Sequence, residues 1–385
     1  MSTRALTRVP FAPPAIGHAE IDEVIATLES GWLTTGARVH RFEDAFAAYV
    51  HAPFAVGVNS CTAALHLSLL ASGVGPQDEV ITTPLTFCAT ANTVVHTGAT
   101  PVFADIDPCT MNLDPAAVED AVTSRTRAIV PVHFAGRPVD VAAFHALRAR
   151  HGLTLIEDAA HAVESSSTSG KVGSTADFTC FSFYATKNLT TGEGGMATTT
   201  TADRAERLRI ASLHGMSRDA WSRYAPGARG DYDVVMPGFK YNMMDIQAAL
   251  GLHQLAALDS HLLRREAIWR RYEAGLAHLP LALPAAPAPG TRHARHLFTV
   301  LVDQERCGMS RDALRDVLTD RGISTSVHFR ALHLQPYYAE RFGLRRGMFP
   351  HAERVSDQTL SLPLSAALTD ADVDAVIDAV GDSLS

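Results

Sequence analysis

FAVGVNSCTAALHLSLLA, residues 54–71, decides the fold. A short apolar run (54–58) gives way through Asn59, Ser60, Cys61 and Thr62 to an apolar helical stretch, 63–71. The same hand-over recurs down the chain. EVITTP (79–84) precedes CATANTVVHTG (88–98), TPVFADI (100–106) precedes PAAVEDAVT (115–123), and AIVPVHF (128–134) precedes DVAAFHALRARHG (140–152). LTLIEDA (153–159) and FTCFSFY (178–184) follow, the latter running into glycine-rich GEGGMATTT (192–200). Short apolar strands alternating with helices predict an α/β domain whose mostly parallel sheet is covered on both faces.

Upstream, AEIDEVIATLES (19–30) and RVHRFEDAFAAYV (38–50) read as helices around the turn WLTTG (32–36). Downstream, a long amphipathic stretch from about Met244 to Leu279 meets the proline-rich PLALPAAPAPG (280–290), which marks part of a domain junction. Beyond it come the strand HLFTVLVD (296–303), a helix capped at Ser310, the strand ISTSVHF (323–329) and a terminal helix from near Thr369. The expected division is a large domain over 1–255, with the helical N-terminal segment, and a smaller α+β domain over 256–385 that includes the long connecting helix.

The composition narrows the function. The 385 residues suit about two or three domains, and 46% hydrophobic residues allow a large core. Acidic residues outnumber basic ones, 41 to 33, for a net charge of −8, which argues against nucleic acid or a membrane surface as partner. No run of about 18 apolar residues predicts a transmembrane helix, and the N-terminus has no apolar signal core. The five cysteines are scattered, form no CxxC and suggest no metal site. They read as reduced thiols of a cytoplasmic protein.

Of the 33 basic residues only Lys171, Lys187 and Lys240 are lysines. A lysine kept where arginine would serve as a charge is a candidate amine nucleophile, since arginine cannot lose its proton. In a doubly wound sheet ligands bind beyond the carboxyl ends of the strands. There the chain places Ser60, Cys61 and Thr62 at a helix start, suited to a phosphate, although an ordinary N-cap has the same appearance. It also places Asp158 at the end of a buried strand, where a carboxylate wants a cation or serves as a structural ion pair or cap. Lys187 emerges from an apolar strand into a glycine-rich turn, where desolvation frees its amine. Ser182 can cap a phosphate, and Phe87 offers either a flat face for a ring or simple core packing. Phosphate cradle, aromatic plate, aspartate and lysine together are what pyridoxal phosphate requires.

GWLTTG, NSCTAALHLSLLA, EVITTPLTFCATANTV, GATPVFADID, PVHFAG, IEDAAHA, FSFYATKNLTTGEGGM, PGFKYNMMDIQAALGLHQL and HLFTVLVD together resemble the DegT-type nucleotide-sugar aminotransferases, fold-type-I pyridoxal-phosphate enzymes. The resemblance runs from about residue 10 to the C-terminus. Within the family the chain is most similar to sugar C4 aminotransferases, including the UDP-4-amino-4-deoxy-L-arabinose synthases. It implies that Lys187 forms the Schiff base and shuttles protons, that Asp158 pairs with the pyridine nitrogen, and that His161 lies near the phenolic oxygen. It also implies that Phe87 stacks on the ring and that Ser60, Cys61, Thr62 and Ser182 bind the phosphate. Lys240 and Asn242, in a KYN that many relatives replace with NYR, would act across the interface of a homodimer with shared active sites. Trp32, Thr35, Tyr184 and His328 would face the sugar nucleotide. Arg229 and Arg330 are further candidates for its diphosphate.

The implied reaction moves an amino group from L-glutamate to C4 of a 4-keto sugar nucleotide, expected to be a 4-keto-6-deoxyhexose; a UDP-4-keto-pentose is the alternative. Lys187 disfavours the family's dehydratases, which carry histidine there. A non-catalytic regulator that binds the cofactor would carry a damaged lysine or aspartate, or a basic DNA-binding helix pair, and neither is present.

Overall fold

The computed structural model describes residues 8–217 and 232–384. Its central sheet contains β1 (Phe54–Val58), β2 (Glu79–Thr82), β3 (Thr100–Phe103), β4 (Thr126–Val130) and β5 (Thr154–Asp158). After a small hairpin, β6 (Ser166–Ser167) and β7 (Gly170–Lys171), the sheet is completed by β8 (Phe178–Ser182) and β9 (Gly195–Thr199). The spatial order is β1-β9-β8-β5-β4-β2-β3. β9 is antiparallel to both its neighbours, and the other pairs are parallel.

Side-chain alternation explains why these strands are apolar throughout. Val56, Val80, Val130, Ile156 and Cys180 point to one face, where Leu65, Leu67 and Leu69 of helix Cys61–Ala71 cover them. Their neighbours point the other way. Ala55 and Phe181 meet Phe42 and Phe46 of helix Ala37–Val50, and Ile81, Ile129 and Leu155 meet Phe144 and Leu147 of helix Val141–His151. A sheet with two buried faces needs a hydrophobic residue at every position rather than at every second one.

Helix Asp245–Leu276 passes residue 255 without a break. Its first half lends Leu255 and Leu258 to the core under the sheet. Its second half lends Ile268, Trp269 and Tyr272 to a separate core with Phe298 and Val300 of β10 (Phe298–Leu301) and Leu360 and Leu362 of β11 (Thr359–Leu362). One helix thus belongs to both halves of the molecule.

Two expectations are corrected. GEGGMATTT is not only a turn: its last residues form β9, inserted between β1 and β8. ISTSVHF is not a strand. Its backbone is shared between two neighbours, Ile323 bridging to Val9 and Ser326 to Ser361, so no continuous ladder forms. The strand that pairs with β10 is β11, whose Thr359 and Ser361 hide it from a reading based on apolar runs. No helix among the described residues is long and apolar enough to cross a membrane, and all five cysteines are free thiols.

Candidate active site

The carboxyl ends of β1, β5 and β8 lie at one edge of the sheet, with the loop after β2 beside them. A cavity of about 470 Å³ opens there. Ser60, Cys61, Thr62, Phe87, Asp158, His161, Ser182, Tyr184, Lys187 and His328 all line it.

At one end helix Cys61–Ala71 begins. Ser60 caps it by accepting from the Ala63 N–H at 3.1 Å. The N–H groups of Cys61 and Thr62 have no acceptor within the helix and carry its positive end. β9 passes so close that a Cβ on Gly195 would lie 2.4 Å from the Ser60 carbonyl carbon and 2.6 Å from the Cys61 nitrogen. Glycine is what lets the strand seat the loop. The result is a built anion cradle, with the Ser182 hydroxyl on the same wall.

Lys187 faces this cradle. Burial pushes its ammonium down to about 8, against the opposing pull of Cys61 and Asp158. Asp158 has its carboxyl raised, first by burial, although Thr90 and the Ala160 N–H both stabilise the anion. Its Oδ2 accepts from the Thr90 hydroxyl at 2.8 Å and its Oδ1 from the Ala160 N–H at 3.1 Å. Among the described residues it has no ion-pair partner. A buried carboxylate of this kind is completed by a cation arriving in the cavity.

The histidines are held neutral. Burial, reinforced by the Lys187 charge, pushes His161 well below its usual value and His328 down to about 3. The Ala135 N–H donates to His161 Nδ1 at 3.3 Å, so the ring's proton sits on Nε2 and His161 is a donor there. His296, whose ring centroid is 4.4 Å from that of His161, donates from Nδ1 to Asn188 Oδ1 at 3.0 Å. The donor role follows because the Asn188 amide nitrogen is committed to Glu164 and Ala294.

Trp32, Thr35, Lys240 and Asn242 do not line this cavity. They interlock beside it: Lys240 Nζ donates to Asn242 Oδ1 (2.6 Å) and Asn242 Nδ2 to Thr35 Oγ1 (2.8 Å). Thr35 Oγ1 donates to the Met243 carbonyl (2.6 Å), and the Trp32 indole to the Thr35 carbonyl (3.0 Å). Lys240 is exposed at the edge of this cluster. Arg330 is exposed and belongs to a separate surface depression with Arg311, Arg315 and Arg346. Arg229 lies outside the described residues.

Sequence reasoning missed Thr86, Thr90, Glu193 and Phe329. Thr86, Glu193 and Phe329 line the cavity, and Thr90 supports Asp158 from beneath. Glu193 and Phe329 were visible inside GEGG and VHF, next to residues already singled out. Nothing local to Thr90 distinguishes it from any buried helical threonine.

The donor set fits a phosphorylated pyridine aldehyde. Helix-start N–H groups suit the phosphate, Phe87, 61% exposed, offers an open ring face, Asp158 is a buried carboxylate with no hydrogen-bonded cation among the described residues, and Lys187 is a partly neutral amine.

The sequence profile described as the DegT/DnrJ/EryC1/StrS aminotransferase family matches residues 14–381. The chain is 52% identical over 362 residues to the spore coat polysaccharide biosynthesis protein SpsC of Bacillus subtilis, covering 94% of this chain and 93% of that one. The sugar aminotransferase Spr1654 of Streptococcus pneumoniae, solved in a PMP form, superposes with a TM-score of 0.90 at 36% identity, covering 97% and 98% of the two chains. DesI, solved in the presence of its TDP-sugar product, superposes with a TM-score of 0.86 at 34% identity, covering 97% and 92%.

Proposed function

The chain belongs to the DegT/DnrJ/EryC1/StrS aminotransferase family, and on that premise we propose that it moves the amino group of L-glutamate to C4 of a nucleotide-linked 4-keto sugar. The expected substrate is a 4-keto-6-deoxyhexose and the product its 4-amino counterpart. The chain is a sugar aminotransferase, and its cofactor is pyridoxal 5'-phosphate. The observation that carries the reading is the meeting of Lys187, Asp158 and the free helix start around Cys61 in one cavity wall.

The cofactor, bound through its aldehyde, supplies an electron sink for the carbon that loses a proton. The residues do the rest. Lys187 Nζ, neutral in part at physiological pH, takes the proton from the donor's Cα and later delivers one to C4 of the sugar. Asp158 holds a positive charge at the pyridine nitrogen. His161 donates from Nε2 without bringing a charge. Phe87 closes one ring face and excludes water from it.

Electrostatics support a homodimer with shared sites. Lys187 is the only lysine or arginine among the described residues lining the cavity, and Asp158 and Glu193 are acidic. A phosphate, a nucleoside diphosphate and a dicarboxylate each need cations, and a second copy bringing Lys240 and Asn242 would supply one. DesI, crystallised with a TDP-sugar, supports the nucleotide-sugar class.

The test is a panel of dTDP-, UDP- and GDP-linked 4-keto sugars with glutamate, scored by product mass and by NMR for the aminated carbon. The expected result is a C4 amine that Lys187→Ala does not form. Amination at C3, or normal turnover by that variant, overturns the reading.

A further inference from the structure

Asp158 is reached from one side by a two-hydroxyl chain that no role so far explains. Thr86 Oγ1 and Thr90 Oγ1 are 2.8 Å apart, and Thr90 Oγ1 is 2.8 Å from Asp158 Oδ2. The direction of the chain follows from chemistry. An ionised carboxylate only accepts, so Thr90 spends its single hydroxyl proton on Asp158; the contact between the threonines is then a donation by Thr86. Thr86 and Thr90 are 2% and 1% exposed and Asp158 is 5% exposed, so bulk water does not replace either link.

The chain has a further geometric consequence. Phe87 is the N-cap of helix Cys88–His96, and Thr90 lies in its first turn. The Thr90 N–H also donates to the Phe87 carbonyl at 3.2 Å. The aromatic plate and the hydroxyl that orients the carboxylate therefore ride on the same helix start. With Thr90 on Oδ2 and the Ala160 N–H on Oδ1, each carboxylate oxygen has one fixed donor. The plane of the group is set, and its remaining lone pairs are left for the cavity.

We propose that Thr90 is a positioning residue for the pyridine end of the cofactor: with Thr86 behind it, its hydroxyl keeps Asp158 ionised and fixed in orientation towards the cavity, where the carboxylate would hold the ring nitrogen. The proposal rests on the pyridoxal-phosphate reading above and adds the group that makes Asp158 effective. The other groups acting on Asp158 are Lys187 and His133, which favour its charge, and the thiols of Cys61 and Cys180, with which it interacts. All four stay unchanged in the variants below.

The test uses the full chain stripped of cofactor and titrated with pyridoxal phosphate, without any sugar. Thr90→Val keeps the shape and removes the hydroxyl. It is expected to raise the cofactor Kd at least about tenfold, the scale of one hydrogen bond to a charged group. It is also expected to move the pH midpoint of the lysine-bound cofactor's absorbance upward. A carboxylate with fewer donors draws the proton from the ring nitrogen, and a ring without that charge lets the Lys187 nitrogen hold its own proton longer. Thr90→Ser, which keeps the hydroxyl, restores both readouts to within about twofold, and Thr86→Val falls between.

A Thr90→Val protein with wild-type Kd and midpoint overturns the proposal. So does Thr90→Ser as impaired as Thr90→Val, since the methyl rather than the hydroxyl would then matter. If the wild-type chain takes up no pyridoxal phosphate, the cofactor reading itself fails, and this inference with it. If it binds the cofactor here but aminates no sugar in the substrate panel above, only the substrate assignment fails.

Discussion

Asn188, the residue after Lys187, donates its side-chain amide to both oxygens of Glu164, at 3.2 and 3.0 Å. Glu164 is fully buried and is also paired with Arg265 of the long helix, itself 3% exposed. The same amide reaches the Ala294 carbonyl at 2.9 Å, and its oxygen holds His296. The loop that carries Lys187 is thereby fastened to the helix shared by both cores.

Arg265→Met should therefore be costly. It strands the Glu164 carboxylate, and removing one partner of a buried pair costs about 3–5 kcal/mol. Chemical unfolding should show the loss, and the double variant with Glu164→Gln should recover most of it. Equal stability of the single and double variants would mean that the pair is not coupled.

Lys187 sets a pH signature. Condensation with an aldehyde needs the neutral amine. With the pKa brought down to about 8, about one amine in ten is free at pH 7, against roughly one in three thousand for an ordinary lysine. Stopped-flow absorbance of the stripped protein mixed with pyridoxal phosphate should show a rate that rises with pH through about 8 and then levels. The folded value lies below the unfolded one. The unfolded chain thus binds more protons between the two, and this group's contribution to stability rises with pH across that window. A rate still climbing at pH 10 would show that the amine is not desolvated.

Gly195→Ala tests the cradle. The added methyl would meet Ser60 and Cys61 backbone atoms at 2.4 and 2.6 Å, and backbone cannot swing aside as a flexible side chain can. Overpacking of this kind costs typically about 1–3 kcal/mol. Cofactor affinity should fall about tenfold or more, while circular dichroism stays close to wild type. Unchanged affinity would remove the phosphate role from this helix start.

Subunit mixing tests the reach of Lys240. Lys187→Ala and Lys240→Ala proteins should each be nearly inactive alone. Dissociated and reassociated together, they should regain about a quarter of wild-type activity, because half of the dimers then hold one intact site of two. No recovery would place both residues in the site of a single chain.

Much of this was legible before any coordinates. Each strand-to-helix hand-over is a local pattern, so the parallel sheet and the strand-end positions of Ser60, Asp158 and Lys187 follow from short windows of sequence. ISTSVHF misled because its strand-like alternation is real while its partners are split between Val9 and Ser361. β11 stayed hidden because Thr359 and Ser361 are buried polar residues whose hydroxyls are satisfied by distant groups, the His328 carbonyl and Thr299 or His328.

The order of the amino acids was enough for the alternation of elements, for one of three lysines among many arginines placed just beyond an apolar strand, and for the chemistry those residues can perform. It was not enough for the supports beneath them. Thr90 meets Asp158 across 68 residues and Asn242 meets Thr35 across 207. Hydroxyl and amide hydrogen bonds are short, directional and indifferent to distance along the chain, so which of many threonines or asparagines is used depends on how sheet and helices pack, and no local pattern records that.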